Sequence, residues 1–393
     1  MIHKLKYFDF TLLISPLILT AFGIVMVYSA SMVTAVVEGL ESTHYLLKQL
    51  QWFLIGLPLF IVMSLFPYQK FQKIIQYIIF ICLGLLVGVL LFGDTVNNSK
   101  SWFVFPFFSI QPSEFAKLGL IIYLASIYSK KQSYIDEFYR GVLPPLIITI
   151  IFLVLIVAQP DIGTAAIIFL IACSIILSSG IRYRHLFLLF GIGLILLIFT
   201  IPNLVTDVRI ARFTGAYQPF EAPESDGYHL IQSYLAIGGG GLSGEGLGQS
   251  VQKLGYLWGA HTDFIMAIIA EELGFIGVII VIGLLAAIVL RGIFIARKST
   301  DSFGSLLAIG ISSMVGIQAF INLGSISGLL PITGVPLPFV SYGGSSLLVL
   351  MISMGILNNI AMQVKKKELE PIKINPQHVK ERNTFMRRRE KSW

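Results

Sequence analysis

Apolar positions along this chain fall in long blocks, with runs near 20 residues separated by short polar or glycine- and proline-rich connections. A helix of about 20 residues spans the roughly 30 Å hydrocarbon core of a bilayer, so the blocks read as membrane-spanning helices. Ten spans fit best, at about 10–32, 47–66, 74–93, 114–129, 142–158, 162–180, 185–201, 264–290, 303–323 and 343–363. The first run is too long for the apolar region of a signal peptide, and no small-residue cleavage site ends it, so it reads as a retained helix. No repeat of fixed period is visible, and the two halves lack matching interrupted helices, which weakens a transporter built from inverted repeats. The expected fold is all-α and integral to the membrane. Residues 1–363 form one polytopic unit with a large loop at about 202–263, and residues 364–393 form a basic tail.

Composition agrees. The 393 residues are 55% hydrophobic and 12% charged, where a soluble protein would carry about twice that charge. The net charge of +7 is uneven, because the tail after Gln363 holds ten of the 28 Lys and Arg. Placing both termini in the cytoplasm puts 22 of the 28 on the inner side, the arrangement the positive-inside rule requires. Contact with anionic lipid explains the tail better than nucleic acid does, and no nucleic-acid partner is expected. Cys82 and Cys173 both lie in apolar runs without metal-ligand spacing and read as small hydrophobes.

With this orientation the informative polar sequence faces outward. In GAHTDFIMAIIAEELGFIG, Asp263 stands at the outer boundary, and Glu271 lies about 12 Å deeper and rotated roughly 80°. Asp263 is either a helix cap or a catalytic or binding carboxylate. Glu271 and Glu272, costly if they faced lipid, are better placed holding the helix to its neighbours. His261 could support Asp263, yet no Ser-His-Asp pattern is evident. In SWFVFPFFSIQPSEFAKLG, Pro112 suits a helix entry, Ser113 a cap and Glu114 the first turn. Lys117 is placed either to pair with Glu114 or to bind a lipid phosphate.

The outer loop adds Arg209, Arg212 and the glycine run Gly238–Ser250, which lacks the GK[ST] ending of a phosphate loop and reads as a flexible, backbone-lined groove. In LLPITGVPLPFVSYGGSS three prolines and a glycine pair interrupt helix. That should leave backbone amides and the hydroxyls of Ser341, Tyr342, Ser345 and Ser346 available. Acid, cations and broken helix together point to a site for an anionic, lipid-linked substrate at the outer leaflet.

Five motifs then carry a resemblance: DFTLLISPLILTAFGIVMVYSAS, FSIQPSEFAKL, QPDIGTA, AHTDFIMAIIAEELG and GVPLPFVSYGGSS. In this order, across about residues 9–363, they resemble the SEDS proteins of shape, elongation, division and sporulation, and the HTDF form is similar to the FtsW and SpoVE branch. The resemblance implies a GT-C-like bundle of ten helices and an inverting glycosyltransferase that polymerises lipid II at the outer face of the bacterial membrane. It implies Asp263 as the general base, with Lys117, Glu114, Arg212, His261, Thr262, Ser341, Tyr342, Gly343, Gly344 and Ser345 around the substrate. A divalent cation such as Mg²⁺ or Mn²⁺ could assist, and no organic cofactor is expected. The implied partners are lipid II, undecaprenyl-diphosphate-linked glycan, a class B penicillin-binding protein supplying transpeptidase activity, and other division proteins. The same fold could instead serve a lipid II flippase, or a scaffold that activates the transpeptidase. Four positions depart from the family pattern: Trp258-Gly259 replaces Pro-Glu, Gly255 stands where some members have an acid, and Gly239 stands where Ser is expected.

Overall fold

The computed structural model describes residues 7–96, 99–105, 108–132, 135, 137–182, 184, 187 and 213–369. Three helices open the chain: α1 (Phe10–Val37), α2 (His44–Leu65) and α3 (Phe71–Phe92). Strands β1 (Asp94–Val96), β2 (Ser99–Val104) and β3 (Ser109–Ile110) come after them as a small antiparallel sheet in the order β1-β2-β3. Next come α4 (Pro112–Lys130), α5 (Leu143–Val157) and α6 (Ile162–Ser178). The large loop contains α7 (Tyr228–Gly239), and the chain continues through α8 (Ile265–Lys298), α9 (Ser302–Ile326) and α10 (Gly344–Leu369).

Nine of the ten expected spans are present as helices, and the one at 185–201 lies almost wholly outside the described residues. Seven described helical segments are long and apolar enough to cross a membrane. The α4 and α6 helices fall short of that measure. Most of α4 is buried among other helices, so its side chains need not be apolar enough for lipid. The sheet departs from the all-helical expectation. A short connection rich in Ser, aromatic and β-branched residues satisfies its backbone groups across a hairpin rather than along a helix.

The bundle is apolar outside and partly polar within. Phe10, Ile14, Ile18 and Val25 form an exposed stripe on α1, whereas Gln49, Glu114, Lys117, Lys253, Glu272, Gln318, Asn322 and Asn358 are buried. This arrangement suits a lipid solvent, where apolar exteriors cost nothing and polar groups must find partners inside. The α9 helix is central, packing against α4, α6, α8 and α10.

Contacts distinguish two ends of the bundle. At one, Asp9 accepts from the Leu12 amide at 3.3 Å and pairs with Arg291 at 2.7 Å, and Lys298 pairs with Glu368 at 2.9 Å. The last helix continues past residue 363, where the tail was expected to begin, to Leu369. At the other end lie the sheet, the described part of the large loop and the proline-rich segment before α10.

Helix α8 is broken at Gly274, whose φ of 65° and ψ of −163° are open essentially to glycine alone. Continuous helix would bond the carbonyls of Glu271 and Glu272 to the amides of Phe275 and Ile276. Instead those carbonyls accept from Glu245 and Gly246 at 2.9 and 3.0 Å, and those amides donate to Gly241 and Leu242 at 3.0 and 3.3 Å. The glycine run is therefore no open groove. Its middle is laid into the helix break, because glycines permit backbone to approach backbone. The Glu271 carboxylate accepts from the Ser250 hydroxyl and, at 2.9 Å, from the Val251 amide. Glu272 accepts from Ser29 of α1 at 2.7 Å and pairs with buried Lys253 at 2.6 Å. Both glutamates thus hold the loop to the bundle.

Thermal melts in detergent test this account of the break. Gly274→Ala, whose Cβ would lie 2.4 Å from the Gly244 amide nitrogen, is expected to cost roughly 1–3 kcal/mol, read as a lowered midpoint. Lys253→Met leaves Glu272 without its cation and should cost roughly 3–5 kcal/mol, while adding Glu272→Leu should restore much of the loss, measured by the same melts.

Candidate active site

The turn before α8 sets the position of Asp263. The Gly259 carbonyl accepts from the amides of Thr262 and Phe264 at 3.0 and 3.1 Å. The Thr262 hydroxyl lies 3.1 Å from that carbonyl and 2.8 Å from Asp263 Oδ1, and its single hydrogen serves one at a time. Gly259 has a φ of 73°, and a Cβ there would fall 2.5 Å from Asp263 Oδ1. With glycine here, one of the departures noted in the sequence, the left-handed turn is unstrained and the carboxylate lies close against its backbone. The N-cap of α8 is Phe264, and no side chain caps the helix there. The capping explanation for Asp263 is not realised.

From α9, Asn322 Nδ2 donates to the Asp263 carbonyl at 2.7 Å and to the Val335 carbonyl at 2.8 Å. One turn earlier on the same helix, Gln318 Oε1 accepts from Lys117 at 3.3 Å, while its Nε2 donates to the Pro336 carbonyl at 3.1 Å. Residues four apart share a helix face, separated by about 6 Å along the axis. Helix α9 thus joins two motifs far apart in sequence, the Asp263 turn and the start of α4, into one polar region. Lys117 pairs with Glu114 at 2.8 Å, and both are buried. The pair is realised, with one Lys117 donor left over after Glu114 and Gln318.

Around this pair the first turn of α4 differs from expectation. Pro112 is the first helical residue and Gln111 the N-cap, without a side-chain cap bond. Ser113 therefore lies one residue inside the helix and does not cap it. Among the described residues, Ser113 Oγ, Glu114 Oε2, Asn322 Oδ1 and His261 Nδ1 are buried with no hydrogen-bond partner. Gln111 donates through its amide to Ser345 Oγ at 3.1 Å and through Nε2 to Asp161 Oδ2 at 3.1 Å. Asp161 Oδ1 in turn caps α6, accepting from the Thr164 amide at 3.0 Å. Burial raises the Asp161 pKa, opposed by the Thr164 bond, and nearby Glu114 raises it further while Lys117 lowers it.

The proline-rich segment is stitched into the same region. The Tyr342 amide donates to the His261 carbonyl at 2.9 Å, and the Gly343 amide to Gln49 Oε1 at 3.3 Å. Ser341 Oγ accepts from the Leu337 amide at 2.8 Å, and Ser345 Oγ donates to the Ser109 carbonyl at 3.2 Å. These amides and hydroxyls, expected to be available, are occupied by protein. Gly344 begins α10 with the Trp52 indole against it. The rings of His261, Tyr45 and Tyr342 cluster with centroids 4.5–5.8 Å apart, and desolvation there lowers the His261 pKa from 6.5 to about 4, with Glu38 opposing. Arg212 lies outside the described residues, as does Arg209.

Comparison with known proteins places the chain in a family. A family model described as cell cycle protein, covering FtsW, RodA and SpoVE, matches residues 10–366. The chain belongs to this family. It is 51% identical to the probable peptidoglycan glycosyltransferase FtsW of Bacillus subtilis (strain 168), covering 94% of this chain and 95% of that one. It is 42% identical to stage V sporulation protein E of the same organism, over 90% of this chain and 96% of the other. Among solved structures it is similar to a chain of a peptidoglycan synthase complex that coordinates polymerization and crosslinking, with a TM-score of 0.75 at 26% identity, covering 93% and 99%. The rod shape determining protein RodA of Thermus thermophilus matches with a TM-score of 0.67, also at 26% identity, over 93% and 98%. As a family member the chain is a multi-pass membrane protein with an α-helical bundle.

Sequence reasoning assigned no role to Gln318, Asn322, Gln111 or Asp161. Two amides four residues apart in an otherwise apolar span were the signal for the first two, since polar side chains at such depth need partners. Asp161, quoted only inside a motif, precedes an apolar run as a cap would.

His261 gives a testable pH dependence. The unfolded chain protonates this imidazole near 6.5 and the folded chain near 4, so the unfolded state binds more protons in between, and stability falls as pH drops through that window. His229, also held low by burial, acts in the same direction. His261→Gln should remove the His261 share, measured by thermal unfolding between pH 7 and 5.

Proposed function

We propose that this chain is a peptidoglycan glycosyltransferase that lengthens glycan strands from lipid II at the outer face of the bacterial membrane, with Asp263 as general base. The names of its relatives supply the reaction class. The observation that carries the assignment of residues is the joining of Asp263 to the Lys117–Glu114 pair through Asn322 and Gln318. A sugar hydroxyl is a weak nucleophile, and one placed carboxylate can take its proton as the new bond forms. In the proposed step the 4-hydroxyl oxygen of the acceptor GlcNAc attacks the anomeric carbon of the donor MurNAc. The bond from that carbon to the diphosphate oxygen breaks, undecaprenyl diphosphate leaves with the electron pair, and the hydroxyl proton passes to Asp263. A single displacement inverts α to β and needs no second carboxylate as nucleophile.

The leaving diphosphate concentrates negative charge, which Lys117 and Arg212 are suited to balance. Among the described residues no three His, Cys, Asp or Glu side chains form a metal-binding group. A divalent cation accompanying the substrate diphosphate would neutralise its charge, leaving the Asp263 carboxylate to take the proton. The basic residues at the Asp9 and Glu368 end support a cytoplasmic position for both termini, leaving the Asp263 end outside. A class B penicillin-binding protein as partner, and a role in septal synthesis during cell division, accord with the synthase complex and with FtsW relatives.

Purified protein given lipid II in detergent should form glycan strands, and Asp263→Asn should reduce their rate by at least about 10²-fold with folding and partner binding retained. An unchanged rate would overturn the general-base assignment. No strand formation by the wild-type chain, with or without the transpeptidase, would favour the flippase or scaffold.

A further inference from the structure

At the end of the bundle away from Asp263, a cleft of about 500 Å³ is lined by Gln69, Gln72, Lys73, Ile75, Gln76 and Lys130. Among the described residues two cations and three amides line it, without a carboxylate. Gln69, Gln72, Lys73 and Gln76 recur at helical spacing through the turn that leads into α3, so they share one face. Gln69 is engaged with Gln363, and Gln72 donates to Ser129 Oγ at 3.1 Å. Among the described residues Lys130 reaches the Gln72 carbonyl alone, at 3.5 Å. Among the described residues Lys73 and Gln76 have no hydrogen-bond or ion-pair partner. Nearby Glu137 is occupied by Arg140 at 3.4 Å. Among the described residues the donors at this cleft therefore exceed the acceptors.

The surface adjoining the cleft narrows the occupant. Along the same side of α3, Tyr77, Phe80 and Ile81 are exposed at 69%, 73% and 62%, as for a surface in contact with acyl chains. A ligand meeting both features has an anionic head and apolar tails. We propose that this cleft is a headgroup site for an anionic phospholipid, its phosphodiester taken by Lys73 and Lys130 and its glycerol hydroxyls by Gln76. A basic pocket between spanning helices at the membrane surface is a chemistry suited to such headgroups. The proposal is independent of glycosyl transfer, so its failure leaves the reading of Asp263 intact.

Native mass spectrometry of the purified full chain with phosphatidylglycerol or phosphatidylcholine tests it. The expected result is preferential phosphatidylglycerol binding, weakened at least about tenfold in Lys73→Ala/Lys130→Ala. Arg297→Ala/Lys365→Ala, which removes the same charge elsewhere at that end, should retain it. Equal binding of the two lipids, or equal loss in both double variants, would overturn the site in favour of bulk surface charge. Displacement of the lipid by an equal concentration of glycerol phosphate would overturn the lipid assignment in favour of a free phosphate ligand. Preferential capture of an acidic peptide over phosphatidylglycerol would overturn it in favour of a protein partner. Circular dichroism and an unchanged thermal midpoint in detergent establish that the variants are folded.

Discussion

Two carbonyls and two amides within α8, left without helical partners by the turn at Gly274, govern how the Asp263 end of this molecule is assembled. An unpaired backbone group away from water costs as much as a lost hydrogen bond, so the interruption is stable only while another segment completes it. The glycine run does so, and the two glutamates beside the break fasten the chain from Ser250 to Lys253 that leads out of it. Once that strip is fixed, the turn at Gly259–Phe264 approaches the short first part of α8 from a defined side. Asp263 then takes its place through the bonds of that turn and the Thr262 hydroxyl, without capping the helix.

The interior charges obey the same logic. Lys253 with Glu272, and Lys117 with Glu114, are each matched within 2.6–2.8 Å, as buried ions must be to offset desolvation. The pairs nevertheless serve different ends. Glu272 also has Ser29, and Lys253 donates to the same hydroxyl at 3.0 Å, so that cluster is closed. The other retains a carboxylate oxygen and a neighbouring serine hydroxyl without partners among the described residues. The closed pair holds the loop, while the open one retains hydrogen-bonding capacity in the candidate site.

The spans were legible because apolar length is a direct imprint of bilayer thickness, and Glu114 with Lys117 was legible because helical spacing fixes neighbours. The break in α8 was not, since Gly274 lies in an apolar run, and isolated glycines are tolerated in membrane helices. Its positive φ depends on a partner segment about 30 residues earlier, which no local pattern names. Likewise Ser341 and Ser345 looked free because prolines remove helix around them. Ser341 is met by the Leu337 amide four residues back, a local turn the proline pattern does not name, and Ser345 by the Ser109 carbonyl, which only tertiary packing brings near. The Asp263 motif was visible, but that it would be tied to Lys117 depended on the direction in which α9 faces.

That tie has a mechanical consequence. Gln318 and Asn322 sit on one uninterrupted helix, so their separation is a property of the helical rise and not of the loops they grip. Helix α9 works as a ruler between the acid's backbone and the buried cation. A rigid tilt of α9 carries both anchors together and preserves their spacing, so it can alter entry to the site without detuning the distance between its two halves.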